Sequence, residues 1–303
     1  MKNLSLLYPE GKGPDYEILA DNTCSDLSID CILDAVAEND IEKKIIKDIM
    51  IKLESDAEVI RYRGDIFEDI VRFPVLREKM KDMLEGKKLD IVRNNFEFSR
   101  EHGIYIMTGP NRGGKTTFTQ AVGMLFLMAQ HGLYVPAEQM SFEPCDNILT
   151  HFPADEEKTV NMGRLGEESK RLSEIFTSAS DKSLLLFNES LASTSFTEGL
   201  YIARDVVQAL RFLGARTIFN THMHELAMHP EIMNSNEGDI KVASLVTGMY
   251  EGKRSYKVFI APPDGVSYAR DIAEKYGVTL SQLKDSIISS GKTYYRCAEK
   301  NCG

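Results

Sequence analysis

The chain has 303 residues, 43% of them hydrophobic and 27% charged, proportions ordinary for a globular protein of one large domain or two smaller ones. Lys and Arg number 36 against 46 Asp and Glu, a formal net charge of −10; this acid excess argues against an extended nucleic-acid-binding surface, because such affinity comes largely from cations neutralising phosphates. The five cysteines (Cys24, Cys31, Cys145, Cys297 and Cys302) form no Cys-x-x-Cys pair, which disfavours zinc and a disulfide framework, and neither a membrane span nor a signal peptide is present, so a cytoplasmic, non-membrane protein is expected.

From about Ser25 to Leu84 the chain reads as helical, with apolar residues at helical spacing in Ile45–Met50 and Asp65–Val71 and few breakers until Glu85-Gly86-Lys87-Lys88. The texture then changes. Gly103–Thr108 is a short apolar, β-rich run ending in a Gly-Pro turn, and Thr117–Gln130 is a helix candidate. Ser183–Phe187 and Ala215–Phe219 are further buried-strand candidates, separated by helical stretches at Leu165–Ala179 and Gly199–Phe212. Strands alternating with helices predict an α/β fold whose sheet is mixed but mostly parallel, with both faces covered. Two short helices, Ser267–Tyr276 and Leu280–Ser289, close the chain around Gly277-Val278-Thr279.

Gly109-Pro110-Asn111-Arg112-Gly113-Gly114-Lys115-Thr116 fits the pattern Gly-x4-Gly-Lys-[Ser/Thr], and it follows a strand candidate and opens a helix candidate, the context that a phosphate loop requires. Glycines let backbone N–H groups close around phosphate oxygens, and the helix N-terminus adds favourable partial charge. Lys115 would supply a cation to the β- and γ-phosphates, and the Thr116 hydroxyl, followed by Thr117, would ligate Mg²⁺. ATP or ADP with Mg²⁺ is therefore the expected ligand. The second strand candidate ends in Asn188-Glu189, with Asn188 standing where an aspartate beside the metal is expected and Glu189 suited to orient or activate the attacking water. His222 follows the third strand candidate and could reach the γ-phosphate.

At these residues the chain resembles the MutS mismatch-repair ATPases over roughly Val92 to Gly277. Thr108–Thr117 reads TGPNRGGKTT, similar to the family's TGPNxxGK[ST]T, and Gly132–Ala137 is similar to its G-x-[FY]-V-P-A segment. Asn94-Asn95, Thr194-Ser195 with Gly199-Leu200, Thr221-His222 with Glu225-Leu226, and Asp264–Ala269 resemble further family segments in the same order. The resemblance implies a P-loop NTPase of ABC type acting as a homodimer, with each ATP held between one subunit's phosphate loop and the other's signature helix. The matching helix is Asn161–Phe176, where Gly163, Leu165 and Glu168 stand at the family's Ser, Phe and Glu positions; Gly163, Glu168, Thr194 and Ser195 are then expected to act across the dimer. The implied organisation is a mainly helical segment at 1–91, an ATPase domain at 92–265 and a C-terminal helical dimerisation element at 266–303.

The departures from the family pattern have consequences. Asn188 removes a carboxylate near the metal, which predicts nucleotide binding with weak Mg²⁺ dependence and slow hydrolysis. Ser190-Leu191-Ala192-Ser193 stands where the family carries a Gly-Arg-Gly stretch. No mismatch-reading domain precedes residue 100, and only Leu84–Lys88 occupies the place of the DNA-encircling arms, as fits a naturally compact paralogue or a chain whose arms were removed. Two functions are thus expected: an ATPase coupling nucleotide state to dimerisation and mismatch repair-type DNA binding, or an ATP-operated dimerisation switch with weak hydrolysis and no mismatch recognition. An ABC transporter subunit lacks support for want of an LSGGQ-type signature, and an adenylate-type kinase for want of an arginine-rich lid. The C-terminal helices could also be read as a helix-turn-helix, but Ser281, Gln282, Lys284 and Asp285 do not make the second helix basic.

Overall fold

The computed structural model describes residues 8–9, 11–12, 16–37, 39–71, 92–153, 163–191, 194–235, 238, 240–250, 253–263, 274 and 276–290. The chain divides into two compact units, Met1–Pro263 and Asp264–Gly303.

The first unit opens with β1 (Tyr16–Ile18), α1 (Asp21–Asp26), α2 (Ile29–Val36), α3 (Asp40–Met50), β2 (Lys52–Glu54) and α4 (Ala57–Val71). The helical reading of Ser25–Leu84 holds for α2, α3 and α4 and is corrected at two places. Ser28, with a left-handed backbone at φ 56°, separates α1 from α2, and Lys52–Glu54 is extended and pairs antiparallel with β1. Tertiary contacts override local propensity at β2: Leu53 is fully buried, and Gln130 Nε2 donates to the Glu54 carbonyl at 2.7 Å. The continuation from 72 to 84, the Glu85–Lys88 break and the Met83–Asp90 link lie outside the described residues.

The main sheet has strand order β4-β5-β6-β3-β7-β8, built from β3 (Ile104–Thr108), β4 (Ile148–His151), β5 (Leu184–Asn188), β6 (Arg216–Asn220), β7 (Val242–Tyr250) and β8 (Lys253–Ile260). All neighbours are parallel except β7 and β8, so the mixed, mostly parallel α/β expectation holds. Alternation along the strands divides the core into two layers. On one face Tyr105, Met107, Leu184, Leu186 and Ile218 meet Val122, Phe126 and Leu127 of α5 (Lys115–Gln130), together with Leu27, Ile29, Leu33 and Leu53 from the N-terminal elements. On the other, Ile106, Leu185, Phe187 and Phe219 meet Leu172 and Ile175 of α6 (Arg164–Ser178), Val207 and Leu210 of α7 (Phe196–Leu213) and Leu226 of α8 (His224–Met228). The N-terminal helices therefore complete the layer under α5, and α9 (Pro230–Asn234) follows α8 and adds Met233 to the second layer.

The predicted strands at 103–108, 183–187 and 215–219 and helices at 117–130, 165–179 and 199–212 form within a few residues of their expected bounds, while β4, β7 and β8 were not foreseen. In the second unit α10 (Leu280–Ser289) forms as expected, started by a capping box between Thr279 and Gln282. Most of the partner helix Ser267–Tyr276, the segment Asp264–Ala269, Cys297 and Cys302 lie outside the described residues.

Because β3, β5 and β6 run parallel, the residues that follow them emerge at one edge of the sheet, where ligands of open α/β sheets bind. The expected phosphate loop, Gly109–Thr116, follows β3, Asn188-Glu189 closes β5, and Thr221-His222 follows β6.

Candidate functional site

Gly109–Gly114 join β3 to α5. A side chain at Gly109, whose φ is 141°, would drive into the Thr247 hydroxyl, so this position accepts only glycine. Gly114, with φ 87°, stands at the N-cap of α5 and provides no side-chain cap. The first-turn N–H groups of α5 are thus left for another acceptor. Arg112 also has a left-handed backbone, φ 59°. The loop is braced from β7 and β8: Thr247 packs against Gly109 and Gly113, the Tyr256 ring lies beside Gly114, and Arg254 Nε donates to the Asn111 carbonyl at 2.9 Å. Asn94 in turn secures β8, its Nδ2 donating to the Tyr256 carbonyl at 3.1 Å and its Oδ1 accepting from Val258 N at 2.9 Å. None of the bracing residues on β7 and β8 was foreseen, although Val242–Tyr250 is rich in β-forming residues and Glu251-Gly252 is a hairpin-type link.

Asn111, Arg112, Gly113, Gly114, Lys115, Thr116, Thr117 and Glu189 line one open cavity; Gly109 and Pro110 support it through their carbonyls. Lys115 is 5% exposed, and its ammonium donates to Gly109 O at 3.1 Å and Pro110 O at 3.3 Å. Burial pulls the ammonium below its ordinary value, and the facing Glu189 carboxylate opposes that pull. Two of its three donors are engaged within the loop, which aims the charge along the loop's inner side.

Opposite the loop, Thr116 Oγ1 donates to Asn188 Oδ1 at 3.0 Å, and Asn220 Nδ2 donates to the same oxygen. Asn188 is buried, 6% exposed, so one amide oxygen collects both donors where a carboxylate would have done so with charge. Glu189 turns sharply away from β5 at φ 52°, its N–H donating to Asn220 O at 2.8 Å. Its carboxylate meets His222 Nε2 at 2.7 Å. That hydrogen bond, then the charges of His222 and Lys115, hold Glu189 below the usual carboxylate range despite partial burial. Glu189 and His222 are thus brought together, with His222 touching Glu189 while only Glu189 lines the cavity.

The residues expected to act across a dimer do not line the cavity. Gly163 caps α6 at φ 72° and is exposed. Glu168 lies one turn into that helix, half-buried, with Oε2 enclosed and without a hydrogen-bond partner among the described residues. Ser195 caps α7, its hydroxyl accepting from Glu198 N at 3.4 Å, and the Thr194 and Ser195 hydroxyls both donate to Glu198 Oε2, at 2.8 and 2.7 Å. Asn161, Ala192 and Ser193 lie outside the described residues.

Among the described residues no cluster of three or more His, Cys, Asp or Glu side chains could hold a metal ion by itself, and no helix is long and apolar enough to cross a membrane. Cys24, Cys31 and Cys145 are free thiols. Thr116 and Asn188 offer a hydroxyl and a neutral amide oxygen, a pair that suits Mg²⁺ arriving with several waters and bound phosphates better than it suits the bare ion.

A family model described as MutS domain V matches residues 105–277, more than half the chain. The chain is 32% identical over 231 residues to the DNA mismatch repair protein MutS of Chlorobium chlorochromatii (strain CaD3), covering 70% of this chain and 26% of that protein. It is 30% identical over 234 residues to the DNA mismatch repair protein MutS of Clostridium novyi (strain NT), covering 74% and 23%. It is 35% identical over 147 residues to MutS protein homolog 4 of Homo sapiens, covering 47% and 16%. The chain spans about a quarter or less of the length of these curated relatives.

Proposed function

The chain belongs to the MutS family, and from that premise we propose that it binds and hydrolyses ATP and couples its nucleotide state to dimerisation and to DNA binding of the mismatch-repair type. The observation that carries this reading is the meeting, around one cavity, of Lys115, the uncapped start of α5 and the Glu189 carboxylate.

In this mechanism the triphosphate lies in the loop Gly109–Thr116, its oxygens accepting from backbone N–H groups and from Lys115. Thr116 and Asn188 hold Mg²⁺, which supplies positive charge to the phosphates when bound. Glu189 orients a water toward the γ-phosphate and accepts its proton. His222 holds the Glu189 carboxylate in place and keeps it ionised. A second copy of the chain completes the site, presenting the start of α6 with Gly163 and Glu168, and Thr194-Ser195 before α7.

Nucleotide titration of the purified protein tests the reading, with Lys115→Ala as the control. Micromolar ATP binding that this substitution abolishes supports it, and an intact chain with no affinity for ATP or ADP refutes it. Turnover is then measured with and without duplex DNA, and oligomeric state with and without ATP and Mg²⁺. A second reading, an ATP-operated dimerisation switch with weak hydrolysis, is favoured by the neutral Thr116–Asn188 pair. Tight binding and ATP-dependent dimerisation without DNA-stimulated turnover would select it.

A further inference from the structure

Ser190 lies between two residues with left-handed backbones, Glu189 at φ 52° and Leu191 at φ 64°. Non-glycine residues hold that conformation only where their surroundings impose it, and such turns gather at functional sites. Two anchors impose it here. Leu191 is 1% exposed in the apolar layer over α7, and the Ser190 hydroxyl, itself buried, is gripped by His151 at the end of β4.

His151 is 1% exposed. Its Nδ1 lies 2.7 Å from Ser190 Oγ, its own carbonyl lies 3.2 Å from the same hydroxyl, and its Nε2 lies 3.3 Å from the Glu168 carbonyl of α6. A carbonyl only accepts, so Nε2 carries the ring proton, and the single Ser190 proton goes to Nδ1 at 2.7 Å in preference to the His151 carbonyl at 3.2 Å, an assignment made from the partners of the two nitrogens. The ring packs on Phe187 at 6.0 Å between centroids. Arg171, whose charge acts on this ring, donates to the Phe152 carbonyl at 2.8 Å and faces Asp26 at 3.7 Å. Among the described residues no hydrogen bond joins His151 to the Gly109–Thr116 loop, and the reaction proposed for the site gives it no role.

We propose that His151 is a positioning residue for Glu189: through Ser190 it fixes the turn that presents the carboxylate to the cavity, and through the Glu168 carbonyl it ties that turn to helix α6. The catalytic turn and the helix proposed to face a second subunit thereby share one buried anchor. This rests on the reading of Glu189 as the residue that orients water.

The test separates the two bonds of the imidazole. Asparagine at 151 places an amide oxygen near Nδ1 and keeps an acceptor for Ser190, whereas glutamine places an amide N–H near Nε2 and keeps the donor to Glu168. ATP turnover, KM and ATP affinity are measured for wild type, His151→Asn, His151→Gln and Ser190→Ala, with circular dichroism to verify folding. Ser190→Ala and His151→Gln are expected to lower kcat about tenfold, the loss of one positioning hydrogen bond, with KM and ATP affinity within about twofold of wild type. His151→Asn should keep kcat within about threefold of wild type. Full turnover by Ser190→Ala, or a parallel fall of kcat, affinity and thermal midpoint in all three variants, overturns the proposal. Should His151→Gln fail to fold, Ser190→Ala alone decides. A wild-type chain that binds ATP without any turnover removes the hydrolytic reading first and this inference with it; wild-type turnover with indifferent variants removes the inference alone.

Discussion

Restoring a carboxylate at position 188 perturbs the site at the point where it departs most from a charged metal site. Aspartate is nearly isosteric with asparagine, and Asn188 Oδ1 already accepts from Thr116 Oγ1 at 3.0 Å and from Asn220 Nδ2, so Asn188→Asp keeps both donors and adds one negative charge. A unit charge about 4 Å from a divalent cation is worth up to about 8 kcal/mol at an effective dielectric near 20. Two effects oppose that gain. The position is 6% exposed, which penalises a carboxylate, and it adjoins Glu189, whose like charge repels it. A net gain of about 1.4–2.8 kcal/mol remains, so the Mg²⁺ concentration at half-maximal ATP turnover should fall about tenfold to a hundredfold. Without Mg²⁺ the buried acid has no cation to satisfy it, and the thermal midpoint of Asn188→Asp should drop below wild type, then recover when Mg²⁺ and ATP are added together. The assay is a Mg²⁺ titration of ATP turnover and binding for both proteins. A Mg²⁺ midpoint unmoved by the substitution would show that position 188 does not sense the metal, and the charge argument would fail.

Three further outcomes are expected. His222→Ala removes the hydrogen bond that chiefly holds Glu189 below the usual carboxylate range, so the acid limb of the turnover–pH profile should move to higher pH; an unmoved limb would show that another group sets it. Burial first, and Arg171 next, push His151 down to about 4, against about 6.5 for a free imidazole. The unfolded chain therefore binds a proton that the native chain refuses between those values, and stability should be full above about pH 6.5 and decline by up to about 3 kcal/mol as pH falls toward 4. His131, also held down by burial, acts in the same direction. Denaturant midpoints across that range check this, and His151→Asn should flatten the slope. Leu27 is 3% exposed and packs on Gly123 of α5, so Leu27→Ala should cost about 2–4 kcal/mol in urea unfolding. A loss below about 1 kcal/mol would mean that the N-terminal helices dock only loosely on the α5 layer.

What could be read from the residues was what local chemistry dictates. The Gly109–Thr116 loop announces itself because glycine, lysine and threonine at that spacing serve one backbone geometry, and Gly109 and Gly114 do take left-handed or crowded conformations there. Strands β3, β5 and β6 were visible as continuous apolar runs because both of their faces are covered. The signal failed where order comes from distant partners. β4 reads Ile-Leu-Thr-His, and its polar half is satisfied by Asp26 and Ser190 far along the chain. β2 is three residues long and exists through its pairing with β1 and the Gln130 bond to its carbonyl. The braces on the Gly109–Gly114 loop, Thr247, Arg254 and Tyr256, lie on the β7–β8 hairpin, and nothing in their local sequence points to that loop far along the chain. Nothing along the chain joins His151 to Ser190; only the parallel pairing of β4 with β5 sets the two side by side.

The same neighbours explain how the site keeps its form without the missing charge. Asn188 holds Thr116 and Asn220 as an aspartate would, Asn220 holds the Glu189 N–H, and His222 holds the Glu189 carboxylate; each of these bonds depends on shape and polarity, none on a charge at 188. Charge is what changes. Arg112 and Lys115 line the cavity against Glu189 as the one acid among the described lining residues, so the lining carries a net positive charge, which an aspartate at 188, behind Thr116, would offset. A surplus cation favours the bare phosphates of a nucleotide, while a balanced lining favours phosphates already carrying their metal. On the proposed reading, Asn188 would therefore tilt the cavity toward retaining a bound nucleotide rather than hydrolysing it.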